Sequence, residues 1–518
     1  MDFYEGDSMD ISVGKFTLES LTTGMYNEPE SCFREYIQNA VDSIDMAVDQ
    51  NIISIDDSRI EIIVDEKHRT ISIKDNGTGI SSTTARNTLL DIGNSTKLHT
   101  VNRGFRGIGR LGGLSYCKEL SFCTTAFSED VKTIVTFDCE KLKQLLVPGQ
   151  GDEKTLQGVI EAVTTIEVNE EQKSAHYFIV KMEGVDDISS LLDINIVKDY
   201  ISQVAPIPFR KQFYWGNEIK EELRQKGITI AEYPVFIGKS FEKLTQVFKP
   251  YKNSFYASSR AGVVKDEIFG ISYFDVKDKN GNDLAYGWYA DTDYSGTLVD
   301  ESFSCIRVRL GNILIGSSKT LTPYFREARF NAWVLGELHI VDRDLIPNAR
   351  RDDFERNETF SDFENGVQLT VGKDVPSKMR AASTARNNPV QKKIRNAEKV
   401  LAKAGTILAT GFNSTHEKDQ LVEDIQAIKK QVQTIPKSAS AEVVQKKVAL
   451  LHDLEELEEE VTNSSNYRAK NDITSEFSKR EKKIFQAMLE VLTRNFERET
   501  VNSLYNEFLE ELKTKGKK

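Results

Sequence analysis

Glu35, Asn39 and Asp42 stand in the order E-x-x-x-N-x-x-D within Cys32–Gln50, CFREYIQNAVDSIDMAVDQ. At about 100° per residue these three fall within about 60° of one helix face, while Phe33, Ile37, Ala40, Ile44 and Val48 share the opposite face. A carboxylate can position and deprotonate a water, and a neighbouring amide oxygen can complete the octahedral oxygen shell that Mg²⁺ demands beside phosphates. Glu35 and Asn39 suit those two roles. Read alone, the same face is equally that of any solvated helix.

A second group, Asp75-Asn76-Gly77-Thr78-Gly79, follows the strand-like Thr70–Lys74. Glycines after a strand-end aspartate let the backbone approach a flat ligand while the carboxylate accepts from an exocyclic amine, such as that of adenine. A plain hairpin turn has the same D-N-G signature. The third group, Asn102–Ser115 or NRGFRGIGRLGGLS, brings Gly104, Gly107, Gly109, Gly112 and Gly113 ahead of an apolar stretch. Unhindered successive amides cradle anions. The run is not a Walker loop, because no Gly-Lys-Ser/Thr follows at the required spacing. Nor is it a dinucleotide fingerprint, because it follows a helix and a hairpin instead of opening the fold.

In that order the three groups resemble the Bergerat nucleotide site of the GHKL superfamily, which includes gyrase, heat-shock protein 90, histidine kinases and MutL. The resemblance is closest to heat-shock protein 90. Met25–Asp45 is similar to that family's first long helix and its approach, Ile92–Lys97 (IGNSTK) to the start of its ATP lid, and Leu345–Phe354 (LIPNARRDDF) to a middle-domain loop.

The resemblance implies ATP and Mg²⁺ as ligands, with Glu35 orienting the attacking water, Asn39 holding Mg²⁺ and Asp75 reading adenine, while Asp42, Gly77, Gly79 and Ser95 also bind ATP. Lys97 and the amides of the segment Gly104, Phe105, Arg106, Gly107, Ile108 and Gly109 would hold the phosphates. Arg351, supported by Asn348, would reach the γ-phosphate from the second domain; Arg350 competes with it, standing where the family usually has a small polar residue. A surface ion pair within RRDDFER is the alternative. Thr164 in Val163-Thr164-Thr165-Ile166 matches the strand that contacts adenine through an Asp-bound water, although Val163 replaces the usual glycine.

These residues need elements to hold them. Arg59–Asp65 and Thr70–Lys74 alternate apolar and polar residues across the short Glu66–Arg69 connection, which predicts a hairpin in a mixed or antiparallel sheet. The fold class expected is α/β: an N-terminal Bergerat α/β sandwich over 1–185, a second α/β domain over 186–370, a basic linker over 371–403, and an all-α tail over 404–518. Strands are expected at Ser304–Leu310 and Asn312–Ile315, with aromatic-rich helical segments around Phe325–Val334. In the tail, Leu421, Ile425, Ile428, Val432 and Ile435 step as one buried helical seam. Val444, Val448, Leu451 and Leu454 do the same in Ala441–Val461, and a third helix spans broadly Ile473–Leu512; such short seams predict a helical bundle.

With 518 residues, 39% hydrophobic and 29% charged, the chain has room for about three ordered domains. A net charge of −12 argues against a protein that coats nucleic acid over its whole surface. Five cysteines without CxxC spacing suggest neither disulfides nor zinc. The N-terminus has no secretory pattern and no stretch is long enough to span a membrane, so a cytoplasmic location is expected.

Two functions compete. In the first, an ATP-driven clamp remodels a protein client or a partner subunit docked through the helical tail, with a nucleotide-dependent homodimer as one form of it. In the second, the clamp acts on DNA in the manner of MutL or the microrchidia ATPases, and Gly372–Lys403 supports it with nine Lys or Arg against Asp374 and Glu398. A histidine kinase is disfavoured, since none of the six histidines sits in an H-box on a helix hairpin.

Overall fold

The computed structural model of the protein describes residues 13–21, 28–92, 107–150, 154–186, 190–259, 262–412, 415–436, 440–467 and 479–496, with single positions 501, 504 and 508. Along the first half run α1 (Phe16–Leu21), α2 (Ser31–Asp49), β1 (Ile60–Asp65), β2 (Thr70–Asp75), α3 (Ser82–Leu90), β3 (Glu119–Thr125), β4 (Val131–Asp138) and α4 (Cys139–Leu146). There follow α5 (Leu156–Val163), β5 (Thr164–Glu170), β6 (Tyr177–Glu183), α6 (Ile194–Val204), α7 (Gly216–Gln225), β7 (Val235–Gly238) and β8 (Leu244–Gln246).

The eight strands form one mixed sheet in the order β5-β4-β3-β6-β2-β1-β7-β8, antiparallel throughout except where β7 runs parallel to β1. The expected hairpin is present, with Ile62 opposite Ile73 and Val64 opposite Ile71. Those apolar positions are buried with Phe33, Ile37, Ala40 and Ile44 of α2 in one core, because period 2 on the strand and period 3.6 on the helix each concentrate apolar groups on one side. Together these elements make an α/β sandwich.

That core does not stop at residue 185. Val197 and Ile201 of α6, Val235 and Ile237 of β7, and Val247 all belong to it, so the boundary expected at 185 moves to about residue 247. A parallel partner for β1 has to return from a long crossover, and no local pattern announces it. Helix α7 instead packs with Phe209, Phe213 and Trp215 against the next sheet.

The second unit holds β9 (Ser254–Ser259), β10 (Gly262–Glu267), β11 (Gly270–Lys277), β12 (Asp283–Asp291), β13 (Thr297–Leu298), β14 (Cys305–Leu310), β15 (Ile313–Leu314) and β16 (Leu335–Ile340). They form a five-stranded sheet, β11-β12-β16-β14-β15, and a three-stranded one, β10-β9-β13. The aromatic segment near Phe325–Val334 is a short 3₁₀ turn at Ala328–Trp333.

The helices that follow are α8 (Glu358–Leu369), α9 (Val371–Asn387), α10 (Pro389–Thr410), α11 (Thr415–Gln433), α12 (Ala441–Asn463) and α13 (Lys479–Asn495). The stretch 371–403, expected as a linker, is therefore helical. Val371, Val375 and Met379 of α9 insert into the core of the five-stranded sheet, and α10 joins α11 and α12 in a bundle. Leu421, Ile425, Val432 and Ile435 bury their seam as expected. On α12 the buried line is Leu450, Leu454, Leu457 and Val461, whereas Val448 is 64% exposed; two neighbours meet that helix along a line rotated from the one its valines suggested.

No helix among the described residues is long and apolar enough to cross a membrane.

Candidate nucleotide-binding site

Helix α2 lies against β2 and against a 3₁₀ turn at Gly109–Gly113. Its apolar face is anchored in the core, which leaves Glu35, Asn39 and Asp42 on the side toward the glycine-rich segments. Glu35 is 8% exposed and Asp42 is buried; Asn39 is half-buried. Glu35 Oε1 lies 3.6 Å from Arg34 Nε and 3.5 Å from Arg351 Nε. Arg34 Nη2 also donates to the carbonyl of Arg350 at 2.9 Å. Arg351 thus reaches the carboxylate from a loop of the second unit, and Arg350 contributes its backbone to the same junction.

Asp75 closes β2, 3% exposed, and its Oδ1 accepts from the Gly77 amide at 2.9 Å. Thr78 N donates to the Ser43 carbonyl of α2 at 3.2 Å. No side chain fits at Gly77, where a Cβ would lie 2.6 Å from the Ser43 carbonyl carbon. Gly79 has φ +63°, a left-handed conformation natural to glycine. The D-N-G-T-G loop is thereby wedged between α2 and the ends of β3 and β6.

On the other side of Glu35, Gly107 has φ +70°. A Cβ on Gly109 would collide with Glu35 Oε2 and stand 3.1 Å from its Cδ. Tyr36 ties this turn to α2, accepting from the Gly113 amide at 2.8 Å and donating to the Arg110 carbonyl at 3.2 Å. From Glu35 to Ser43 the helix rises about 12 Å, which separates the Gly107–Gly109 turn from the Asp75 loop along α2.

The structure sets Gly109 and Arg351 against Glu35 and the Asp75–Gly79 loop against Ser43 of the same helix, which also carries Asn39 and Asp42; Gly107 and Ile108 lead into the Gly109 turn. Ser95, Lys97, Gly104, Phe105 and Arg106 lie outside the described residues.

Thr164 does not join the site. It begins β5, four ladder steps or about 19 Å from β2. Its row runs through Phe137, Leu120 and Met182 to Ile71, at the far end of β2 from Asp75. Resemblance of the short VTTI run could not reveal that β6, not β5, pairs with β2. The threonine in the Asp75 row is Thr124; its hydroxyl accepts from Ile80 N at 2.8 Å and donates to Tyr177 O at 3.0 Å.

His176 also meets the Asp75 loop, with its Nδ1 2.8 Å from Gly77 O. The one sequence signal for Thr124 is the polar pair Thr124-Thr125 ending the otherwise apolar alternation of ELSFCTT. His176 carried none.

The family model for histidine kinase-, DNA gyrase B- and HSP90-like ATPases matches residues 26–169, which contain α2, the Asp75 loop and the glycine turn. Residues 26–169 are a GHKL-type ATPase domain. No curated protein matches the sequence. The GHKL domain is an ATP-binding one, and its sheet extends past the matched stretch, since β6 supplies the strand beside Asp75 and β7 pairs with β1.

Proposed function

We propose that the protein hydrolyses ATP and uses the cycle as a clamp of the heat-shock protein 90 kind, acting on a protein client or partner subunit. The observation that carries this reading is the 3.5 Å approach of Arg351, from beyond residue 247, to Glu35 in the GHKL domain. A site assembled from two units couples turnover to their closure, because an arginine supplied from the second unit stabilises charge that develops on the transferred phosphoryl group.

Glu35 orients and deprotonates the attacking water, Asp75 accepts from the adenine amine, and the Gly107–Gly109 backbone, with Lys97, Ser95 and Gly104–Arg106, holds the phosphates. The oxygen donors offered by Asn39 and its neighbours suit a hard cation. Bound Mg²⁺ would neutralise phosphate charge there, with Asn39 as its protein ligand.

Protein, rather than DNA, as the partner is supported by the use to which the basic stretch is put. Lys378 pairs with Asp291, Arg380 with Glu327, and Arg395 and Lys399 with Asp293. Those charges fasten α9 and α10 to the second unit. Salt-sensitive DNA binding abolished by charge reversal at Lys392 and Lys393 would favour the DNA clamp instead.

Phosphate release and nucleotide titration test the reading. Glu35→Ala should keep ATP binding and lose turnover, Asp75→Asn should lose binding, and Arg351→Ala should lower kcat by about a hundredfold or more. Unchanged ATP affinity in Asp75→Asn would remove the pocket assignment.

A further inference from the structure

Arg110 sits just behind the glycine turn with every nitrogen of its guanidinium turned inward. Its Nε donates to Leu89 O at 2.9 Å, its Nη1 to Gly107 O at 2.8 Å, and its Nη2 to Asp91 O. Two of those acceptors lie at the C-terminal end of α3 (Ser82–Leu90), where uncapped carbonyls concentrate partial negative charge. The third belongs to the left-handed Gly107. Burial pulls the Arg110 group down to about 10 while Asp91 pushes it up, and it remains a cation at neutral pH.

Across a trans peptide the carbonyl and the next N–H point in opposite directions. Fixing Gly107 O on Nη1 therefore aims the Ile108 N–H away from Arg110. No hydrogen bond from the Ile108 or Gly109 amide occurs among the described residues. The adjoining Gly109 touches the Glu35 carboxylate so closely that a Cβ there would displace it, and the Arg110 carbonyl is itself held by Tyr36 of α2. One side chain thus sets the orientation of the Gly107–Ile108 peptide relative to Glu35.

We propose that Arg110 is a positioning residue for the polyphosphate: by binding the carbonyls of Leu89, Asp91 and Gly107 it holds the Ile108 amide toward the nucleotide without touching it. This rests on the ATP reading above and adds a residue to it. Only ligands with phosphates sense Arg110. A planar fork is required, because three carbonyls in three directions match guanidinium geometry and not the point charge of lysine.

The test compares adenosine, ADP and ATP on the full chain carrying Arg110→Met or Arg110→Lys, with thermal melting alongside. Both variants should bind ADP and ATP about tenfold or more weakly and turn over more slowly, while adenosine binding stays at the parental level. Lysine should rescue melting better than it rescues phosphate affinity. Equal losses for adenosine and ADP, or a lowered melting point with unchanged ADP affinity and kcat, would make Arg110 a structural clasp and overturn the proposal. If Arg110→Met does not fold, the ADP-to-adenosine affinity ratio of Arg110→Lys decides alone. Loss of the ATP reading looks different: the parent itself would show no preference for ADP over adenosine, and Asp75→Asn would change nothing.

Discussion

Three glycines of the site fail for different reasons when given a side chain, and the differences are measurable. At Gly77 a Cβ meets the backbone of Ser43 at 2.6 Å, which cannot yield without shifting α2. At Gly79 the left-handed φ adds strain to a 2.8 Å approach to the Thr125 carbonyl carbon, and a non-glycine residue held there costs about 1–3 kcal/mol from conformation alone. Gly77→Ala and Gly79→Ala should therefore lower the melting temperature and weaken ATP binding together. Gly109→Ala meets instead the far end of the Glu35 side chain, which can rotate away. It should melt close to the parent yet lose turnover by at least about tenfold, because the displaced carboxylate no longer orients water. A Gly109→Ala protein with parental kcat would show that Glu35 does not need its present position. These residues were legible because each motif is local: the spacing of Glu35, Asn39 and Asp42 shows in one helix, and Asp75 to Gly79 in one turn. The approach of Thr124 and His176 to that loop was not, since their side chains meet Ile80 and Gly77 across 44 and 99 residues of chain.

Element by element, helix identity followed from apolar spacing and partnership did not. The seam of α11 was legible because one line of Leu, Ile and Val faces one core, whereas α12 meets two neighbours and buries a line that Val448 does not share. The basic run 371–403 hid two helices for a related reason: its apolar residues are sparse, and its cations find acids that lie far away in sequence. Asp293 shows the consequence. Burial on its own would raise its carboxyl, but Lys399 and Arg395 outweigh it and hold the group below the usual range, with Arg395 Nε at 2.8 Å. Asp293→Asn should loosen α10 from the second unit by about 1–3 kcal/mol, seen as faster proteolysis between α9 and α10, with ATP affinity unchanged. Undiminished protection there would mean that apolar packing of α10 suffices without the ion pairs.

For the molecule as a whole, the junction between the GHKL domain and the second unit is held by a buried charge cluster. Glu337 receives Lys249 Nζ at 2.8 Å and Tyr251 OH at 3.0 Å, pairs with Arg309, and has His339 Nε2 at 3.2 Å. Arg309 in turn donates to Gln203 O of α6 at 3.0 Å, Arg307 reaches the Gln203 side chain at 3.3 Å, and Asn312 reaches Ala231 O at 2.7 Å. Burial would raise the Glu337 carboxyl, but Arg309, Lys249 and His339 hold it well below the usual range. Burial and Arg309 push Lys249 down to about 7 against the pull of Glu337. The carboxylate is favoured as an anion while the amine is disfavoured as a cation, because a single carboxylate serves two strong cations: Glu337 stays ionised and the cost of the surplus positive charge falls on Lys249. His339 is lowered by burial. The signs then agree. Below about pH 6.5 the unfolded chain gains a proton at His339 that the folded chain refuses, and below about pH 4.5 the unfolded chain protonates Glu337 before the folded one does. Lys249 adds a step of the same sign at higher pH, because the unfolded chain holds from about pH 10.5 a proton that the buried amine takes up only near pH 7. Stability should therefore fall on acidification from about pH 10.5 to about pH 7, again below about pH 6.5, and steepen below about pH 4.5. Glu337→Gln leaves Lys249 and Arg309 buried without an anion, which costs about 3–5 kcal/mol, and it removes the steeper limb. Melting of parent and Glu337→Gln between about pH 4 and pH 8 checks this. Parallel curves for the two proteins would show that the junction is held by its apolar contacts and that the cluster is electrostatically silent.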